Sequence, residues 1–114
     1  MNVIIQDTAH DSIDKMFEYL CNYSPRSAIQ TIDKIYEHIY TLKDSPYIGR
    51  YIPEISNKHF RELIYRKTKN SGYRIMYHVS ETTNLIHIIY VANSKQDFNR
   101  ILKLHNYFNN FLKI

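Results

Sequence analysis

Tyr73-Arg74-Ile75-Met76-Tyr77-His78-Val79 decides the fold class. Tyr73, Ile75, Tyr77 and Val79 alternate with Arg74, Met76 and His78, the period of two that puts one side of a strand on a core. Phe60–Arg66 before it is rich in strand formers, and Leu85–Ala92 after it is almost wholly apolar, as in a strand covered on both faces. Polar segments at 67–72 and 80–84 read as turns, so the three runs predict an antiparallel meander.

Upstream the period changes. Val3-Ile4-Ile5 is a short apolar run, read as a first strand. Thr8 stands three residues before Asp11 in a capping-box-like start. Ala9, Ile13, Met16, Phe17, Leu20 and Cys21 then follow helical spacing, which predicts a helix over 8–22. Ser24-Pro25 opens a second one, with Ser as cap and Pro where its missing N–H costs nothing. Ala28, Ile32, Ile35, Ile39 and Leu42 form its single apolar stripe, to about Lys43. The short link predicts an antiparallel helical hairpin. Residues 45–58 hold two of the three prolines and read as a connecting loop. Ser94 and Asp97 repeat the capping spacing, and Phe98, Ile101, Leu102, His105, Phe108 and Leu112 predict a C-terminal helix over 95–112. The expected architecture is α+β, in the order β-α-α-β-β-β-α, one domain over 1–114.

Composition narrows the class. With 114 residues, 44% apolar and 23% charged, the chain can bury a core and is not read as disordered. One cysteine, Cys21, excludes an internal disulfide framework and suits a reducing compartment; on the apolar face of the first helix it reads as a packed thiol. Met1–Asp7 lacks a basic n-region and a long apolar stretch, and no run approaches the ~20 residues that span a bilayer, so a cytoplasmic location without membrane association is expected. The six histidines lack companions at metal-ligand spacing; His78 and His87 on neighbouring strands can face each other, and no metal or other cofactor is expected.

The net charge of +4 is unevenly spread. Residues 58–78 carry Lys58, Arg61, Arg66, Lys67, Lys69 and Arg74 against Glu62 alone, whereas residues 1–57 are net negative. Such a stretch suits an acidic partner, either nucleic acid or an acidic protein segment, or else a solvated hairpin. Arg61 and Arg74 also admit a reading within the fold, paired with Glu62, Glu54 or another acid across the sheet.

A strand and helical hairpin lead to Pro46-Tyr47-Ile48-Gly49-Arg50, Pro53-Glu54 and Arg61-Glu62-Leu63-Ile64. Then come Tyr73-Arg74-Ile75-Met76-Tyr77, an apolar strand ending near Val91, and Asp97. This ordered set, along about residues 1–104, resembles the RelE/ParE family of type II toxin–antitoxin toxins. The resemblance implies a growth-arresting toxin, often associated with plasmid stabilisation. It implies a cognate antitoxin as partner, in a homodimer or hetero-oligomer; no antitoxin-binding residue is assigned. RelE-like relatives cleave mRNA on the translating ribosome, using arginines, lysines and a tyrosine, or a His/Glu pair. Arg74 matches their third-strand arginine and is the catalytic candidate under that reading. After the last strand the tyrosine of their pattern is missing from Asn93–Arg100, although Lys95 and Arg100 are basic. ParE-like relatives poison DNA gyrase, and their loop, Arg-Glu-Leu and Tyr-Arg-Ile-x-Tyr pattern is matched more fully. Arg61, Arg66, Lys67, Lys69 and Arg74 are the target-binding candidates. Gyrase inhibition is the leading expectation, with ribosome-dependent mRNA cleavage or an antitoxin-binding relic as alternatives.

Overall fold

A computed structural model of the chain describes residues 1–55, 57 and 59–94. The elements are β1 (Asn2–Ile5), α1 (Asp7–Cys21), α2 (Pro25–Thr41), β2 (Arg50–Tyr51), β3 (Phe60–Thr68), β4 (Ser71–Ser80) and β5 (Leu85–Asn93). They form one five-stranded sheet in the order β1-β5-β4-β3-β2, with β1 parallel to β5 and every other pair antiparallel. The expected α+β order is borne out, including the hairpin and the meander. The helix expected over 95–112, with its Asp97 start, lies outside the described residues, as does Lys58.

The alternation in β4 works as its sequence demands. Tyr73, Ile75, Tyr77 and Val79 join Ile86, Ile88 and Val91 of β5 under the helices, where Ala9, Ile13, Ile35, Ile39 and Leu42 meet them. Met76, on the other side, packs with Ile52, Ile55, Phe60, Ile89 and Ala92. Both faces of β5 are therefore buried, as its apolar run requires. Two faces are reached by one irregularity: the β4–β5 register shifts between Met76 and Tyr77, leaving Ile89 without an opposite number.

The helices start differently from one another. Ser24 caps α2, its hydroxyl accepting from the Ser27 N–H at 3.2 Å, with Pro25 in the first position. Thr8 does not cap α1: the helix begins at Asp7, and the preceding Gln6 makes no side-chain cap bond. The Thr8 hydroxyl instead donates to the carbonyl of Ile89 at 2.6 Å. One turn on, Ser12 Oγ accepts from the Val91 N–H at 3.1 Å and donates to the Ala9 carbonyl at 2.8 Å. β1 ends at Ile5 while β5 runs on, so hydroxyls of α1 serve main-chain groups that β1 does not reach.

The segment read as a loop contains one more strand. Arg50 and Tyr51 pair with Glu62 and Arg61 at the sheet edge. Two residues give no periodicity; pairing with β3, not local preference, makes them a strand. Asn84, ending the β4–β5 turn, takes the left-handed conformation (φ 57°), which asparagine tolerates well.

Candidate functional site

Residues 44–55 cross the sheet edge and are tied to it at two ends, by Arg74 at one and Arg61 at the other. Gly49 lies between. Its N–H donates to the Tyr77 hydroxyl at 2.9 Å, and its carbonyl accepts from Arg61 Nη1 at 2.9 Å. A Cβ here would come within 2.5 Å of the Tyr77 hydroxyl and 2.6 Å of the Glu62 carbonyl oxygen, so only glycine allows this approach.

At the first end lies a chain of four charges. Arg74 donates through Nη1 and Nη2 to the two oxygens of Glu54, at 2.8 and 2.7 Å, the bidentate geometry a guanidinium favours. Its Nε donates to Glu62 Oε2 at 2.6 Å, and the other Glu62 oxygen accepts from Arg50 Nε at 2.9 Å. Glu62 is 1% exposed and Arg74 8%. Two cations and two anions balance, which is what makes such burial tolerable. The bond from Arg74 holds the Glu54 carboxyl below its usual range, and the carboxylates, Glu54 foremost, hold the Arg74 guanidinium charged. Strand alternation accounts for the meeting. Glu62, Ile64, Arg74 and Met76 share one face, with Ile64 opposite Arg74 and Glu62 opposite Met76.

At the second end Arg61 faces no carboxylate among the described residues. Its guanidinium carbon lies 5.2 Å from the centre of the Tyr47 ring and 4.7 Å from that of Tyr51. Both tyrosines are exposed. The Tyr47 hydroxyl donates to the Glu81 carboxylate, a bond that raises the phenol's pKa. With His59, His78 and the turn after β4, these groups line a recess of about 520 Å³. His78 sits opposite His87 in the β4–β5 register, their rings 6.4 Å apart, and 6.0 Å from the His59 ring. Burial first, and then the neighbouring imidazoles, push the His78 pKa down to about 4. His78 is therefore neutral at pH 7. His87 Nδ1 and Gln6 Nε2 are 2.8 Å apart, and burial lowers the His87 pKa too.

The five basic residues singled out in the sequence do not form one patch. Arg66 and Arg74 border a second recess of about 360 Å³ together with Arg50 and Glu54. Arg66 is exposed, and Lys69 is exposed in the β3–β4 turn. Lys67 points to the helices: its Nζ donates to Thr31 Oγ1 at 2.8 Å and Ser27 Oγ at 3.1 Å. It occupies the register shift between Arg66 and Thr68. Arg61 lines the larger recess. Sequence reasoning missed Arg50 as a partner of Glu62, and missed Tyr47 and Tyr51 as walls around Arg61. A glutamate on the same face of its strand as Phe60 and Ile64 was the available signal for the first; the tyrosines gave none, since a loop's course is not periodic.

The family model described as the ParE toxin of the type II toxin–antitoxin system parDE matches residues 3–98. No curated protein matches the chain in sequence. Among solved structures, the chromosomal ParDE toxin–antitoxin system of P. aeruginosa is similar over 81% of this chain and 94% of that one, with a TM-score of 0.62 and 17% identity. A chain of the intact RelBE toxin–antitoxin complex of E. coli is similar over 83% of this chain and 98% of that one, at 0.58 and 16%. The toxin–antitoxin complex RelBE2 of Mycobacterium tuberculosis gives 80% and 94%, at 0.53 and 16%. At such identities these likenesses speak to the fold alone.

Proposed function

This chain belongs to the ParE toxin family of type II toxin–antitoxin systems, and on that footing we propose that it halts growth by binding DNA gyrase and is neutralised by a cognate antitoxin. The observation that carries the choice of target is the surroundings of Arg74. Cleavage of RNA by its own 2′-hydroxyl needs a cation free to meet charge developing on the phosphorane. Arg74 has the sequence position for that role, yet Nε, Nη1 and Nη2 all donate to Glu54 and Glu62. Its charge is cancelled by two carboxylates that would also repel a phosphate. Arg74 then serves the toxin by fixing the 50–55 segment to the sheet. Contact with the target falls to the exposed Arg66 and Lys69 and to Arg61, a surface suited to protein–protein binding that needs no chemistry of its own.

The test uses the purified chain, freed of antitoxin, with gyrase, ATP and plasmid DNA. Supercoiling is expected to stop, with protein-linked broken DNA accumulating at stoichiometric toxin. A chain that arrests growth, leaves gyrase unaffected and cuts mRNA on translating ribosomes would overturn the reading. Loss of that cutting in a folded Arg74→Lys variant would return Arg74 to catalysis.

A further inference from the structure

Arg61 is a guanidinium held ready without an anion. Two tyrosine rings lie against its guanidinium, and the Gly49 carbonyl accepts from Nη1. Among the described residues no carboxylate lies within ion-pair distance of it, and neither its Nε nor its Nη2 makes a hydrogen bond. In a charge-balanced fold such as the Arg74 end, a carboxylate would have filled this edge. An arginine already stripped of side-chain freedom binds an anion with little further loss of entropy.

The recess beyond that edge is mixed in chemistry. At about 520 Å³ it exceeds what a lone inorganic anion fills and falls within the range of small-molecule sites. Tyr51, a residue 57% exposed, lines the recess and brings an aromatic ring to it. His59 is exposed beside it. The Glu81 carboxylate, bonded by the Tyr47 hydroxyl, is an acceptor in the same recess. Ser80 Oγ accepts from Thr83 at 2.8 Å, which leaves its own proton to donate. The Glu81 carboxylate disfavours a second phosphate on its own side of the recess. The set calls for one anionic group, one planar ring and neighbouring hydroxyl donors in a single ligand.

The geometry points to the Arg61 recess as a binding site for a ribonucleoside monophosphate, free or as the 5′-terminal nucleotide of an RNA. The phosphate takes the unused edge of Arg61, the base stacks on Tyr51, and the ribose hydroxyls donate to Glu81. These pairings follow general preferences: arginine for phosphate, aromatic rings for unstacked bases, acidic side chains for a ribose diol. The site lies apart from the Arg74 network and does not depend on gyrase being the target.

The full chain, made by cell-free synthesis, would be titrated with AMP, GMP, CMP and UMP and followed by two-dimensional NMR. At least one monophosphate should bind, shifting Tyr51, His59 and Thr82 and leaving Ile64 and Ser94 unmoved. Adenosine, inorganic phosphate and the matching deoxynucleotide should each bind at least tenfold more weakly. Tyr51→Ala and Arg61→Lys should weaken binding tenfold or more; both leave the buried core untouched. Glu81→Gln should erase the preference for ribose over deoxyribose. Among trinucleotides, a 5′-phosphorylated RNA binding as tightly as the mononucleotide assigns the site to RNA ends, and weaker binding assigns it to free nucleotides. No binding by any monophosphate, or binding undiminished in Tyr51→Ala and Arg61→Lys, overturns the proposal.

Discussion

Arg61 and Arg74 enter the sheet on neighbouring strands and end in opposite surroundings. Arg74 is buried and spends its donors on two carboxylates. Arg61 is only partly covered, has rings for neighbours, and meets no carboxylate. The contrast teaches what sign of charge alone conceals: a cation in a basic stretch becomes a scaffold or a binding group according to what faces it. Arg74 organises the 50–55 segment, whereas Arg61 presents an edge to solvent.

The comparison breaks most readily at Arg74. Arg74→Ala strands Glu54, leaves the buried Glu62 with Arg50 alone and removes the link to β4, which should cost about 3–5 kcal/mol. The urea midpoint should fall accordingly, with the m-value unchanged. A midpoint close to that of the parent would mean the four-charge chain contributes nothing to the fold. Arg74 would then be open again to a direct role in the target.

That network shows how far the sequence could be read. Alternation in β4 gave the two faces of the strand, and opposite charges made Glu54 and Glu62 credible partners for Arg74. Which carboxylate would take two of its donors depended on the path of residues 50–55, and no local pattern encodes that path. β2 was invisible for the same reason: Arg50 and Tyr51 become a strand by pairing with Arg61 and Glu62. Thr8 misled because hydroxyl and acid at capping distance are also what a helix needs to serve a neighbouring strand. Ser24 was legible since Pro25 adds a second, independent constraint. The Arg61 sandwich escaped altogether, because Tyr47 and Tyr51 converge only after Gly49 settles against Tyr77.

Acid should separate the two ends in different pH windows. His78, at the Arg61 end, has a folded pKa of about 4 against the ordinary 6.5. The unfolded chain therefore takes up the proton first. The stability at stake is fully present above pH 6.5 and drains away as pH falls toward 4, by up to about 3 kcal/mol. Glu54, at the Arg74 end, has a lowered pKa, so its contribution persists through that window and is lost only as its carboxylate protonates below about pH 4.5. Urea midpoints measured from pH 7 to 3 should fall in two stages. His78→Asn should shrink the first stage to the share of His87, whose pKa burial also lowers, and leave the second. A first stage unchanged in that variant would place the titrating group elsewhere.

Arg61→Ala sharpens the contrast from the other side. The loss comprises two cation–π contacts, one bond to the Gly49 carbonyl and a long one of 3.5 Å to the Tyr47 carbonyl, roughly 1–2 kcal/mol together. No buried carboxylate is stranded by it. The urea midpoint should therefore drop less than half as far as in Arg74→Ala. Equal losses at the two sites would show that Arg61 belongs to the scaffold after all.

Lys67 offers the smallest effect and the finest distinction, because it is a third answer to the same question. Its ammonium meets neither carboxylate nor solvent alone but two hydroxyls of α2. Thr31 is 1% exposed, and a hydroxyl left there without any partner is costly. A helical threonine hydroxyl, however, can turn its proton to the carbonyl one turn earlier, which satisfies it without lysine. Methionine in place of Lys67 keeps most of the apolar stem and loses only the charge-assisted bonds. Lys67→Met should thus lower stability by about 0.5–1 kcal/mol, read as a small shift in urea midpoint. Growth arrest should be unchanged, since the ammonium is turned toward the helices. A variant of parental stability that no longer arrests growth would mean the lysine leaves α2 to meet the target. Its bonds to Ser27 and Thr31 would then be its resting place in the free toxin.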